Sequence, residues 1–270
     1  MDLNPQARQM ADESMVRNLA AQAEAIWPQE RAYFEGYRLP DGARILDLGC
    51  GTGEISSRLA GLYPAARVTG VDVLQVHVDY ARARYAALAD RLAFETGDCF
   101  ALDFDDASVD LAVCRHMLQS IPHPERIVAE LVRVLKPGGI LHLLAEDYAM
   151  MHFHPTRHDT DAFFRDAVVG YGESTGVDLL SGRKMYTVCR ALGLTDVTVR
   201  YVVVDTIRVE RDLFARIWEA WRDGYTEVIA EHAGLAPAHV REVWNDMVGC
   251  IRSPDGYGVW LIPIISGRKS

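Results

Sequence analysis

The segment Arg44-Ile-Leu-Asp-Leu-Gly-Cys-Gly-Thr-Gly-Glu-Ile55 constrains this 270-residue chain more than any other. Ile45, Leu46 and Leu48 make an apolar run that reads as a buried strand, and Asp47 sets an acid just before its end. Gly49, Gly51 and Gly53 then remove side chains where a ligand must approach the backbone, and a helix follows. A turn of this kind, at the carboxyl end of a parallel strand, is where open α/β sheets bind nucleotides. The glycines read G-x-G-x-G, and the dinucleotide register would require a glycine where Glu54 stands. A carboxylate there opposes a pyrophosphate, which needs free helix N–H groups. Flanked by Asp47 and Glu54, the turn suits a ligand that carries positive charge, such as an adenosyl sulfonium with an amino group.

Along the rest of the chain, helix and strand signals alternate. Residues 6–36 have helical apolar spacing (Met15, Leu19, Ile26, Phe34), which Pro28 is expected to divide into two helices. Strands are predicted at Arg44–Leu48, Arg67–Val71, Leu92–Thr96, Val109–Cys114, Ile140–Ala145, Val197–Val204 and Gly258–Ser266. Helices are predicted at Glu54–Leu62, Val76–Ala89, Glu125–Leu135, Met185–Leu192, Asp212–His232 and Pro237–Cys250, and Lys136-Pro-Gly-Gly139 turns the chain into the fifth strand. This pattern predicts an α/β fold, a doubly wound and mostly parallel seven-stranded sheet of Rossmann-like type with helical lid insertions. Residues 1–37 are expected to form a helical cover, 38–145 the cofactor-binding core, and 146–270 the second half of the sheet with substrate lid helices.

Charge and cysteine content narrow the function. A net charge of −10 with no basic cluster argues against nucleic acid as a partner. No long apolar run or leader-like segment is present, so no membrane partner is expected. Five scattered cysteines without a C-x-x-C pair point to a reducing, cytoplasmic setting and to no cysteine metal site.

Two acids beyond the turn sharpen the ligand. Asp72 ends the second strand about twenty residues past the glycines, where a carboxylate can accept both ribose hydroxyls. It equally suits the ribose of a nicotinamide cofactor, and a role as N-cap of the Val76 helix is compatible with either. Thr96-Gly97-Asp98-Cys99-Phe100 follows the third strand; there an Asp can accept from an adenine amino group, or simply close an Asx-turn. With Asp110-Leu-Ala-Val-Cys-Arg-His116 and Arg133-Val-Leu-Lys-Pro-Gly-Gly-Ile-Leu141, the span Ala43–Leu144 resembles the class I S-adenosylmethionine-dependent methyltransferases, especially the small-molecule branch similar to ubiquinone and menaquinone biosynthesis enzymes. The resemblance implies that Asp47, Gly49, Cys50, Gly51 and Gly53 line the methionine and ribose portion of S-adenosyl-L-methionine, with S-adenosyl-L-homocysteine as product. It further implies Asp72 on the ribose, Val73 against the adenine face, Asp98 and Cys99 on adenine, Cys114 and Arg115 closing the methionine side, and a last strand antiparallel to the others.

The acceptor side is less defined. No Asp/Asn-Pro-Pro-Tyr/Phe motif follows the fourth strand, which disfavours nucleobase amino groups as acceptors. His116 is the candidate general base, beside the expected methyl position; packing on the following helix explains it equally. Tyr148, His152 and His154 are candidate substrate contacts beyond the fifth strand. Pro155 disfavours a regular helical presentation of His154 and His158, so no metal is expected. Arg17, Arg31 and Tyr33 are candidates for the cofactor carboxylate, and Trp218, Trp221 and Tyr225 fall at helical spacing as in an apolar core face. The expectation is methyl transfer to O, N or C of a small apolar or aromatic acceptor, with a homodimer left open. The rivals are a nicotinamide-dependent oxidoreductase, a non-catalytic cofactor-binding regulator, and a protein that keeps the cofactor for decarboxylation or cyclisation.

Overall fold

The computed structural model describes residues 4–270. Positions 1–3 of the expected N-terminal cover lie outside the described residues. Eight strands form one sheet: β1 (Arg44–Leu48), β2 (Arg67–Asp72), β3 (Leu92–Thr96), β4 (Val109–Arg115), β5 (Leu135–Leu144), β6 (Met151–His154), β7 (Thr195–Asp205) and β8 (Tyr257–Arg268). Their order is β3-β2-β1-β4-β5-β8-β6, with β7 also paired to β8. From β3 to β5 every pair is parallel, and β8 runs antiparallel to β5, β6 and β7. The chain winds outward from β1 in one direction and from β4 in the other, so the glycine turn after β1 sits at the reversal of strand order, where such sheets hold ligands.

Local chemistry explains the helix ends. α1 (Ala7–Met10) and α2 (Glu13–Glu35) open the chain, and the Asp12 side chain caps α2 by accepting from Ser14 N–H. α3 (Glu54–Leu62) starts from Gly53 at φ 85°, and α4 (Gln75–Arg84) follows β2. α5 (Pro124–Val134) has proline at its first position and buries Ile127, Val128, Leu131 and Val134 as one apolar stripe. α6 (Thr160–Ala162), α7 (Val169–Ser174) and α8 (Met185–Ala191) are short. α9 (Arg211–Ala233) ends on Gly234 in the left-handed region, and α10 (Pro237–Arg252) again begins with proline.

Two clusters of apolar side chains flank the sheet core. A third, rich in aromatic rings, joins α2, α9 and α10 to β6, β7 and β8, so residues from the N-terminal cover and from beyond 146 share one interior. Among the described residues no helix is long and apolar enough to cross a membrane.

Three expectations need correction. Pro28 does not divide the N-terminal helix; α2 runs unbroken through it. Pro28 is exposed, so the carbonyl it leaves unpaired faces water, while Ala25, Ile26, Glu30 and Phe34 hold both halves to the interior. The sheet has an eighth strand, β6, which pairs with Tyr257–Trp260 of β8 beyond the stretch taken by β5. The fifth strand begins at Leu135, and Lys136–Gly139 bulges out of it: Val109 pairs with Leu135, and the next pair is Leu111 with Ile140.

Candidate functional site

The turn is held open by its backbone and clasped by Asp72. Gly49, Gly51 and Gly53 all lie at positive φ (72°, 52° and 85°). Asp72 Oδ2 accepts from Gly51 N–H at 2.8 Å and Oδ1 from Leu74 N–H at 2.9 Å, so one carboxylate ties the turn to the start of α4. Each oxygen keeps a lone pair for a ligand hydroxyl. A cleft over this turn is lined by Gly49, Gly51, Asp72, Val73, Cys99, Arg115 and His116. An adjoining cavity is lined by Asp47, Cys50, Glu54, Gln22, Arg115 and His116 among others. The free space is about 90 Å³ in the cleft and 30 Å³ in the cavity. Ligand pockets span roughly 300–1,000 Å³, so side chains must withdraw before a nucleoside enters. Two of them are Met117 and Leu19. Their atoms stand 2.7 and 2.8 Å from where a Cβ would project on Gly49 and Gly51.

The buried acids differ. Asp47 accepts from Ser56 Oγ at 2.6 Å, and burial lifts its carboxyl to about 6 against the pull of that bond and of Arg115. Glu54 is committed locally, to Thr52 Oγ1 at 2.6 Å and to Arg84 at 3.9 Å. A cationic amino group placed beside Asp47 would favour its ionised form. The turn therefore fits a cationic, ribose-bearing ligand: small residues for close approach, a carboxylate with spare lone pairs, and a buried acid awaiting a positive partner.

Behind the cavity lies an ionic cluster that the sequence alone did not disclose. Glu30 of α2 is fully buried; its Oε1 accepts from Arg115 Nε at 2.8 Å and lies 3.0 Å from His142 Nε2. His142 Nδ1 meets Tyr37 Oη at 2.9 Å. Burial pushes the Glu30 carboxyl up, but the Arg115 charge and the contacts with His142 outweigh it and hold the group at about 2. Burial pushes His142 down, against the pull of Glu30. Arg115 is thus a side chain that anchors α2 while facing the cavity. Arg17, Arg31 and Tyr33 point elsewhere, to Asp223, Glu35 and the Tyr201 carbonyl.

His116 follows β4 at φ 54°, an unusual conformation for a residue with a side chain. Its Nδ1 lies 2.5 Å from Glu146 Oε1, and Gln119 Nε2 donates to the same oxygen at 3.3 Å. A carboxylate only accepts, so Nδ1 carries the proton and, in the neutral imidazole, Nε2 presents its lone pair; among the described residues no protein group bonds to Nε2.

The structure brings Asp47, Gly49, Cys50, Gly51, Asp72, Val73, Cys99, Arg115 and His116 to these two spaces. It does not bring the others. Gly53 packs against Phe94 at the start of α3, and Cys114 is buried within the sheet. Asp98 is exposed and accepts from Phe100 N–H at 2.8 Å, which is the Asx-turn reading. Tyr148 is buried in the aromatic cluster. His152 and His154 alternate outward on β6 while Met151 and Phe153 turn in, and His152 pairs with Asp161. Sequence reasoning missed His77, buried in α4 with Nδ1 3.9 Å from Asp72, and the cover residues Leu19 and Met117.

A switch-point glycine turn clasped by a strand-end acid, on a sheet closed by one antiparallel strand, defines the class I S-adenosylmethionine-dependent methyltransferase fold. Residues 45–139 match the family described as "Methyltransferase domain". The chain is 32% identical over 198 residues to an uncharacterised 37.1 kDa protein of a Streptomyces fradiae transposon, covering 62% of this chain and 57% of that protein. It is 40% identical over 106 residues to a ubiquinone/menaquinone biosynthesis C-methyltransferase of Paracoccus denitrificans, covering 38% of this chain and 42% of that one. The chain thus spans about half the length of these relatives. Among solved structures it is similar to the (4+2)-cyclase SpnF, at 25% identity and a TM-score of 0.54 over 92% of this chain and 84% of that one.

Proposed function

We propose that the protein transfers the methyl group of S-adenosyl-L-methionine to O, N or C of a small, apolar or aromatic acceptor. The observation that carries this reading is the Asp72-clasped glycine turn at the strand-order reversal, with Asp47 and Arg115 on the adjoining cavity. Residues 38–145 serve as the cofactor core, and 1–37 with the insertions after 146 as the cover. In this reading Asp72 holds the ribose hydroxyls and Val73 and Cys99 face the adenine. Gly97, on the same cleft, replaces Asp98 as the nearer neighbour of the base. Asp47 meets the amino group and Arg115 the carboxylate of the methionine part. His116 is the general base. The bound cofactor supplies an activated methyl on a good leaving group, so alignment by the protein contributes much of the rate. A cytoplasmic setting and a small-molecule partner belong to the same proposal, supported by the net charge of −10 and the scattered free thiols.

Calorimetry with S-adenosyl-L-homocysteine tests the reading: saturable binding is expected, and none at up to about millimolar ligand overturns it. A thermal-shift comparison with a nicotinamide dinucleotide separates the oxidoreductase rival. The similarity to a cyclase favours a second reading, in which the cofactor site is kept while the acceptor is cyclised. An acceptor converted without gain of a methyl group would establish that reading.

A further inference from the structure

His239, Glu242 and Asp246 stand three and then four positions apart on α10, so they lie along one face of that helix. The loop after β6 crosses this face. Asp246 Oδ2 accepts from the backbone N–H of Arg157 at 2.6 Å and of His158 at 2.9 Å, and lies 3.0 Å from His158 Nδ1. A carboxylate only accepts, so Nδ1 carries the proton and, in the neutral imidazole, Nε2 presents its lone pair. The His158 and His239 rings meet at 68°, with centroids 5.6 Å apart. One ligand atom from each of His158, His239 and Glu242 can be chosen so that all lie within 4.8 Å of one another.

We propose that these three side chains hold one divalent transition-metal ion of the zinc class, with Asp246 as the residue that positions His158. Two imidazoles and one carboxylate form a zinc donor set with the fourth position left to water. Tetrahedral bonds of about 2.0–2.1 Å put ligand atoms about 3.4 Å apart, so the three must close in slightly. His239 and Glu242 are exposed, and rotation of their side chains supplies that movement while the helix stays in place. His158 is the half-buried member. The Asp246 carboxylate on its Nδ1 is the outer partner that a metal-bound imidazole needs to fix its tautomer and ring orientation. Magnesium and calcium are disfavoured, because both prefer six or more oxygen ligands and only one side chain here offers oxygen.

The ion joins two parts of the cover that are distant in sequence, the insertion after β5 and helix α10. Trp244 and Met247, neighbours of Asp246 on α10, are buried in the aromatic cluster, so the clip ties the loop to that interior. Spacing within residues 152–158 gives no sign of the site, because the partners of His158 stand on another helix. None of these residues lines the two spaces over the glycine turn, so the site stands or falls apart from the methyl-transfer reading.

Calorimetry of the tag-free full chain with zinc tests the site. One ion per chain is expected, with a Kd of about 10 μM or tighter. His239→Ala and Glu242→Gln each remove a ligand at an exposed position and should weaken zinc by about tenfold or more. Asp246→Asn should weaken it by about 10–100-fold and shift the visible absorption bands of the cobalt-substituted site, which loss of a merely structural contact leaves in place. His152→Ala removes a nearby exposed histidine and should leave zinc affinity unchanged. Zinc at about a hundredfold excess over Kd should raise Tm by about 5 °C in the parent and not in His239→Ala. No saturable binding up to about 100 μM zinc overturns the proposal. So does zinc affinity, or a Tm rise, that His239→Ala and Glu242→Gln leave intact, which would put the ion on thiols or other histidines.

Discussion

Replacing Asp72 by Ala is the sharpest perturbation of the cofactor site. Its two oxygens accept from Gly51 and Leu74 at 2.8 and 2.9 Å, leaving one lone pair on each for the ribose hydroxyls. A hydrogen bond to a charged group is worth about 1.5–3 kcal/mol, so losing two removes about 3–6 kcal/mol of binding. That corresponds to a weakening of about 10²–10⁴-fold in Kd for S-adenosyl-L-homocysteine, read by calorimetry. Loosening of the turn would add to the loss, because Gly51 N–H is then unpartnered. Asp72→Asn separates the effects: its amide keeps one acceptor and the side-chain volume, so its loss should be smaller, about 10–100-fold. An affinity for Asp72→Ala within about threefold of the parent refutes the ribose assignment.

Four more outcomes follow from the geometry. Because burial raises the folded-state carboxyl of Asp47 to about 6, the unfolded chain releases its proton first as pH rises. Parent stability relative to Asp47→Asn should therefore fall from about pH 4 to about pH 6 and level off above; urea denaturation across that window checks it, and an unchanged difference counts against the assignment. Glu30→Gln leaves Arg115 buried without a counter-charge and should lose about 3–5 kcal/mol at neutral pH. The folded Glu30 carboxyl is depressed to about 2, so its contribution is present above the ordinary carboxylate range and fades as pH falls toward 2. Gly53→Ala combines φ 85° with a Cβ only 2.7 Å from Phe94, and should cost about 1–3 kcal/mol in thermal denaturation. Gly61→Ala, with nothing within 4 Å in a helix, should instead stabilise by roughly 0.5–1 kcal/mol.

What could be read in advance was what neighbours in sequence decide. Glu54–Leu62 and Leu92–Thr96 have the expected ends because a glycine turn or a short apolar alternation marks them. Asp72 was legible because a strand-end acid faces the turn beside it. β6 escaped notice because it is four residues long and half of it is histidine turned outward. Pro28 misled because a proline is judged by its own lost hydrogen bond, whereas burial on both sides decides the path of α2. The partners that define the chemistry lie far apart along the chain. Glu30 meets Arg115 across 85 positions and His142 across 112, and Trp260 reaches His116 from the last strand. Such meetings follow from topology and carry no local signal, which is why Glu146 could be seen near the site but not as the partner of His116.

The two halves of α2 are held in different ways, the first turns by burial of Ser14, Met15 and Asn18 and the last by charge. Near its C-terminus Glu30 is locked between Arg115 and His142, beneath the sheet's own strands. Near its N-terminus Leu19 rests on the bare Gly51, through contacts that an aliphatic side chain gives up cheaply. Leu19 can therefore swing aside over the turn while α2 itself stays in place. Ligand exchange and fold integrity then draw on separate halves of one element. Substitutions at Leu19 should alter how fast the ligand enters and leaves, while those at Glu30 act on the fold itself.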